Sequence, residues 1–235
     1  MTEELIQGSP EWFAARCGKV TASRVADVVA ETKSGWGASR GYYMAELIAE
    51  RMTGATAASF SNAAMQWGTD TEPQARAAYE FFTDAEVKEI GFVVHPDIKE
   101  AGASPDGFVG KDGEVQIKCP NTATHIDTLL TGKIPKKYIT QMQWGLACSG
   151  RDWCDFVSFD PRMPANLQLF VNRVERDEGR IKDLEELVIG FIGELDNKVA
   201  ALEALAGDDE VNPTGATNSP PAPMLDDPDK SAPLF

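Results

Sequence analysis

Histidine is almost missing from this chain, with two in 235 residues, and the four cysteines, Cys17, Cys119, Cys148 and Cys154, are spaced too irregularly for a zinc knuckle. That sets zinc-centred chemistry aside, and the cysteines read as free thiols in a reducing compartment, mostly small apolar packing residues. No apolar run approaches the roughly 18 residues that a membrane span needs. The start MTEELIQGSPEW has neither the basic opening nor the apolar stretch of a secretory signal, so the expectation is a cytoplasmic protein with no membrane attachment. Bases are scarce as well: 22 Lys and Arg against 37 Asp and Glu leave a net charge of −15. A protein that wraps nucleic acid in a global positive field is thereby excluded, but a local channel is not. Residues 207–235 carry −5 of that charge and 178–206 carry −4, leaving −6 on the first 177. Within that body lie two basic patches, Arg16/Lys19/Arg24 and Lys133/Lys136/Lys137, suited to phosphates.

The hydrophobic content of 43% over this length is enough for one core, so a single domain over residues 1–206 is expected. Ser9-Pro10-Glu11 opens a helix through Trp12 and Phe13 that ends near Gly18, and Thr21 or Ser23 can cap a second, VADVVA. The stretch SGWGASRG reads as loop, residues 41–53 as an amphipathic helix stopped by Gly54, and a polar, alanine-rich linker follows. Residues 63–82 break at Gly68 and then form a strong helix with Ala75, Ala78, Tyr79 and Phe82 on one face and Glu72 at its start. The period then changes to two. Strands are expected at Val87–Val94, from Ala101–Ala103 on through Val109, and at Glu114–Cys119, with Lys111-Asp112-Gly113 turning between the last two. A helix at Thr124–Leu130, the basic loop GKIPKK and a helix at Tyr138–Cys148 come next. Strands at Trp153–Phe159 and Leu167–Val174, separated by Asp160-Pro161-Arg162, precede a long helix from about Asp177 to Leu205. The result is an α/β domain with a small mixed β-sheet flanked by helices. From Gly207 the chain is acidic, proline-rich and aperiodic, the composition of a disordered tail.

Chemistry concentrates in Ser104-Pro105-Asp106-Gly107, a hairpin, and then Gln116-Ile117-Lys118. Asp106 sits at a turn, and the two-residue offset puts Gln116 and Lys118 on one strand face while Ile117 points into the core. A hard cation has three oxygen donors to hand there: Asp106, the side chain at position 116 and the backbone carbonyl of Ile117. The Lys118 ammonium is near enough to orient or deprotonate water.

This arrangement resembles the PD-(D/E)xK nuclease motif. With RCGKVTAS, WGTDTE ahead of a helix, SPDGFV, VQIKCP, and YITQMQWGLA followed by FDPR, the chain resembles the lambda exonuclease and YqaJ-type viral recombinase nucleases from about Trp12 to Ile192. The resemblance implies a restriction-endonuclease-like core and a Mg²⁺-dependent two-metal exonuclease, with Mn²⁺ able to substitute. It also implies loading on linear double-stranded DNA ends, degradation of the 5′-ended strand, a homotrimeric ring and a single-strand annealing protein as partner. Carried over by position, Asp106 is the metal-bridging aspartate, Lys118 the catalytic lysine and Glu72 the helix glutamate of the second metal. Arg16, Thr21 and Ser23 grip the terminal and scissile phosphates, Gln143 is a glutamine near the active centre, and Lys136 and Lys137 meet the DNA backbone. Position 116 departs from the pattern, because the family has Glu or Asp where this chain has Gln. Glutamine keeps the shape and one acceptor oxygen but loses the charge that neutralises a metal, so weakened or abolished catalysis is expected. Glu114 lies on the same face but about 6 to 7 Å along the strand, a poor substitute.

Each residue also has a plainer reading. Asp106 suits an Asp-Gly turn, Lys118 an exposed strand position, and Glu72 and Arg16 the favourable ends of helix dipoles. Gln143 is a polar residue in an otherwise buried helix and needs some partner. His95 and His125 read as structural or surface residues, and Trp12, Trp67, Trp144 and Trp153 as core. Trp36, flanked by glycines, suits either a DNA-end contact or a loop anchor. Two other function classes fit the same residues: a non-catalytic DNA-end-binding module on a nuclease fold, and a restriction-type endonuclease.

Overall fold

A computed structural model of the chain describes residues 5–33, 35–56 and 63–208. In chain order the elements are α1 (Pro10–Arg16), β1 (Val20–Thr21), α2 (Val25–Val28), β2 (Glu31–Thr32), β3 (Gly35–Trp36), α3 (Ala38–Thr53) and α4 (Ala63–Thr83). Strands β4 (Val87–Lys88), β5 (Val93–Val94), β6 (Ala101–Ala103), β7 (Gly107–Val109) and β8 (Gly113–Lys118) follow. Then come α5 (Thr122–Thr131), α6 (Lys136–Ser149), β9 (Trp153–Phe159), β10 (Leu169–Glu175) and α7 (Glu178–Asp208).

The main sheet has five strands in the order β10-β9-β8-β7-β4, antiparallel except for the parallel β8/β9 pair in which Gln116 faces Phe156 and Lys118 faces Ser158. A second sheet runs β1-β6-β5, and β2 pairs only with β3. Period-two alternation on β8 and β9 divides the main sheet into two covered faces. Val115, Ile117, Val157 and Phe159 pack with Ala75 and Tyr79 of α4. Cys154 and Phe156 turn the other way, onto Met142 and Leu146 of α6 and Ile181 of α7. A third cluster joins α2, α3, α6 and α7 through Val25, Tyr43, Leu47, Trp144, Val188 and Phe191. This is the α/β arrangement expected, a small mixed sheet flanked by helices around a restriction-endonuclease-like core.

Several expected boundaries move, each for a local reason. The single strand expected at Val87–Val94 is two strands in different sheets. Between them Gly91 passes the chain so closely that a Cβ there would lie 2.1 Å from the Leu5 carbonyl oxygen. The strand expected from Ala101 through Val109 divides at Pro105, which has no N–H for a ladder. Helix α4 runs without a break through Gly68, and the loop SGWGASRG contains β3 and the start of α3. Thr21 makes no capping hydrogen bond with its side chain. Helix α6 begins at Lys136, so Lys136 and Lys137 lie in its first turn rather than in a loop.

A compact unit spans residues 1–200; the described part of a second unit, from Ala201, continues α7 to Asp208. The expected disordered tail beyond 208, and residues 57–62 of the expected linker, lie outside the described residues. No helix among the described residues is long and apolar enough to cross a membrane. All four cysteines are free.

Candidate active site

Helix α1 ends with Arg16 in its last turn, where a base is favoured by the helix dipole. The turn after it is clamped by α3: Gly18 N–H donates to Glu50 Oε2 at 2.8 Å, and Arg51 Nε donates to the Gly18 carbonyl at 2.9 Å. Tyr43 Oη then accepts from Thr21 N–H at 3.1 Å, and the Thr21 and Ser23 hydroxyls lie 3.5 Å apart. The segment expected to grip phosphates is therefore tied to α3 by three hydrogen bonds. Arg16 lies 4.0 Å above the Trp12 ring and donates through Nη1 to Ser104 Oγ at 3.0 Å. It forms no ion pair among the described residues; burial pushes its pKa down, and the Tyr43 and Glu50 side chains oppose that shift from a longer range. Ser104 also accepts from Trp12 Nε1 at 3.0 Å. It ties the guanidinium to the strand end that carries Asp106, a role that a serine in a Ser-Pro-Asp turn does not advertise in sequence.

Asp106 Oδ2 accepts from the Ile117 N–H at 2.6 Å and from Gln116 Nε2, and Gln116 Oε1 accepts from Gln141 Nε2 at 2.7 Å. The amide at position 116 thus donates to the one carboxylate that its charged counterpart would repel. Burial raises the Asp106 carboxyl above the usual range, against the pull of Lys118 and the two donors. Burial, then the Asp106 charge, raises Glu72, which Arg76 opposes from 3.0 Å. Arg76 also pairs with Glu89. A carboxyl raised by its neighbour's charge marks a place for positive charge. The two carboxyls are oxygen donors of the kind a hard divalent ion takes, whereas Gln116 turns its Nε2 to Asp106 and its oxygen to Gln141. Among the described residues no group of three or more His, Cys, Asp or Glu is placed to hold a metal.

The expected site residues separate into those brought together and those left apart. Asp106, Glu72, Arg16, Thr21 and Ser23 line one cleft of about 640 Å³, with Lys19 and Arg24. Lys118 lies 5.4 Å and Lys137 4.8 Å from the Tyr138 ring centre, so both ammonium groups are beside one aromatic ring. Lys136 is the first residue of α6. Trp36 is 48% exposed on the β2/β3 hairpin. Its ring lies 4.2 Å from the Arg40 guanidinium, which is itself held bidentately by Glu194, so the hairpin has an anchor there.

Gln143 is not at the centre. It is buried, donates to the Glu175 carbonyl at 2.8 Å and accepts from Asp177 N–H at 3.0 Å, joining β10 to α7. The glutamine at the site is Gln141, two residues and about 200° around the helix away. The pattern that finds it is a stripe of α6 lying along β8. Tyr138 meets Lys118, Gln141 meets Gln116, and Gly145 meets Glu114, where a Cβ would stand 2.8 Å from Glu114 Oε2. Glu114 is turned beneath that glycine and buried, and burial lifts its carboxyl to about 7. The Asp106 charge adds to that rise, while Arg151 and Arg176 oppose it. The histidines are structural. His95 Nδ1 accepts from the N–H groups of Asp97 and Ile98, and His125 joins Ser158 Oγ to the Leu167 carbonyl.

Residues 11–152 match the YqaJ-like viral recombinase domain. The chain belongs to that family. Among solved structures, the alkaline exonuclease LHK-Exo from Laribacter hongkongensis is 52% identical, with a TM-score of 0.80 over 85% of this chain and 99% of that one. The same exonuclease in complex with dAMP is 53% identical, with the same TM-score and coverage. A phage-related exonuclease from Haemophilus somnus 129PT, at 16% identity over 78% of this chain and 96% of that one, shares the fold with a TM-score of 0.63. No curated protein sequence matches.

Proposed function

We propose that this YqaJ-like protein is a metal-dependent exonuclease that enters linear double-stranded DNA at an end and degrades the 5′-ended strand, with its metal site weakened by Gln116. The observation that carries this reading is the half-buried Arg16, which makes no ion pair among the described residues and is seated on Ser104 in the same cleft as Asp106 and Glu72. A desolvated cation beside two carboxyls suits a substrate that brings its own negative charge. The identity to an alkaline exonuclease supports nuclease chemistry, and that relative's complex with dAMP is in keeping with a nucleotide product.

Asp106, Glu72, Gln116 Oε1 and the Ile117 carbonyl are the groups that would hold Mg²⁺ or Mn²⁺, which when bound lowers the pKa of the attacking water and neutralises charge on the phosphate. The chain's own work is positional. Arg16, Thr21 and Ser23 hold phosphate oxygens, and Lys118, near Asp106 and Glu72, orients the water. As the water oxygen bonds to phosphorus, the P–O3′ bond breaks and a proton passes to the leaving oxygen. That leaves a new 5′-phosphate for Arg16 to take up. Lys136 and Lys137, in the first turn of α6, suit the DNA backbone.

The test is end-selectivity. In chelator the chain should bind a 5′-phosphorylated linear duplex at least about tenfold more tightly than a covalently closed circle of equal length, and in Mg²⁺ only the linear form should be cut. Cleavage of the circle would favour a restriction-type endonuclease. The Gln116–Asp106 bond favours a second reading, a non-catalytic end-binding module, because it satisfies the aspartate without a metal.

Assembly belongs to the same proposal. A chain with a net charge of −15 concentrates its few cleft bases best in a closed ring of three around DNA, able to pass the exposed strand to an annealing protein. Light scattering should give three times 25.5 kDa, and a single-chain mass at micromolar concentration would oppose it.

A further inference from the structure

The motif FDPR is used by none of the steps above, yet its side chains reach elements on both sides of the site. Asp160, at the end of β9, is fully buried and accepts three hydrogen bonds from Arg162: from the backbone N–H at 3.0 Å, Nε at 2.7 Å and Nη2 at 3.0 Å. The turn is held from behind by Gln168, whose Nε2 donates to the carbonyls of Pro161 at 3.0 Å and Met163 at 2.9 Å. The guanidinium is thus fixed in plane before it touches anything else.

From that position Arg162 Nη2 also donates to the Pro120 carbonyl at 3.3 Å, two residues beyond Lys118 on the chain leaving β8. Its guanidinium carbon lies 4.5 Å from the centre of the Trp67 ring. Trp67 belongs to the stripe of α4 that continues through Thr71, Ala75 and Tyr79 at a spacing of four, the face packed on the sheet. Glu72 follows five residues after Trp67, about one and a half turns along. The side chain is 46% exposed, so its polar contacts do not serve to fill a core.

We infer that Arg162 is a positioning residue for the metal-holding carboxylates: clamped by Asp160, it fixes the start of α4, and with it Glu72, against the end of the strand that carries Gln116 and Lys118. A planar fork is needed, since one group must bond Asp160 and the Pro120 carbonyl and present a face to Trp67 together. Lysine has the charge but neither the plane nor the second donor in a fixed direction.

The inference rests on the nuclease reading, and the experiment separates the two. Mn²⁺ binding is followed by electron paramagnetic resonance for the full chain, Arg162→Ala and Arg162→Lys, with backbone hydrogen exchange measured on the same proteins in chelator. Arg162→Ala should weaken Mn²⁺ binding about tenfold, the scale of losing an outer-shell partner, and Arg162→Lys should fall between it and the parent. Exchange should quicken in residues 67–76 and 117–121 and stay unchanged in α7. Mn²⁺ binding by Arg162→Ala within twofold of a parent that binds it, or an exchange change spread evenly over the protein, would overturn the inference alone. A parent that takes up neither Mn²⁺ nor a duplex end would remove the nuclease reading and this positioning role with it.

Discussion

Gln116→Glu is expected to raise hydrolysis of an end-labelled linear duplex in Mg²⁺ by at least about 100-fold, while affinity for duplex ends changes much less. The reason is visible in the chain of amides at the site. Gln141 donates to Gln116, and Gln116 donates to Asp106, so the Gln116 amide and Asp106 Oδ2 are satisfied by protein. A glutamate at 116 can still accept from Gln141, but its second oxygen then faces the Asp106 carboxylate with no hydrogen between them. Two carboxylates in that position are tolerable only with a cation. Losing an outer-shell partner of a metal costs roughly 10 to 100-fold, about 1.4 to 2.8 kcal/mol, and a directly coordinating charge costs more. The same substitution should therefore lower thermal stability in chelator, by about 1–3 kcal/mol, and make stability rise steeply with Mg²⁺ or Mn²⁺, a response the parent should show only weakly. Both signs are measurable by thermal denaturation alongside the rate. Equal, negligible hydrolysis by the two proteins in Mg²⁺ and in Mn²⁺ would leave the non-catalytic end-binding module as the better reading.

The parts of this site that sequence makes legible are the local ones. Asp106 before a hairpin, Gln116 and Lys118 on one strand face, and Glu72 early in a helix all follow from turn chemistry and a period of two or 3.6, and the structure places Asp106 and Glu72 in one cleft. Choosing between Gln141 and Gln143 needs the rotation of α6 about its own axis. That rotation is set by what α6 packs against, with Gly145 leaving space for the buried Glu114 carboxyl and Tyr138 receiving Lys118. No periodicity within α6 alone carries it, because both glutamines lie among apolar neighbours. Ser104 and Arg162 were hidden for a related reason: each acts across a sequence distance of at least 42 residues, Ser104 on Arg16 88 residues away and Arg162 on Pro120. The split at Gly91 depends on the Leu5 backbone crossing there, whereas Pro105 divides its strand by itself, having no N–H for the ladder. The short strands β5 and β6 pair with each other and, through β1, hold the Arg16 segment beside the main sheet.

Arg16→Ala should weaken binding to 5′-phosphorylated duplex ends by about 10 to 100-fold in chelator, equivalent to about 1.4–2.8 kcal/mol, the range for hydrogen bonds to charged groups. Thermal stability should change by less than about 1 kcal/mol, because the guanidinium makes no ion pair with a carboxylate among the described residues, and Glu50 acts on it only at longer range. Ser104 Oγ keeps its bond from Trp12 Nε1 when Arg16 is gone, and the cost of holding a desolvated cation in the free protein disappears. What is lost is the stack on Trp12, worth about 0.5–1 kcal/mol. Two further readouts separate phosphate binding from packing. The logarithmic dependence of affinity on salt should become shallower by about one unit, as expected for one phosphate contact removed. The parent's preference for a 5′-phosphate over a 5′-hydroxyl end should vanish in the variant. An Arg16→Ala protein that keeps this preference and its salt slope but melts much lower would make Arg16 a packing residue, and the cleft would then have lost the feature that ties it to a DNA end.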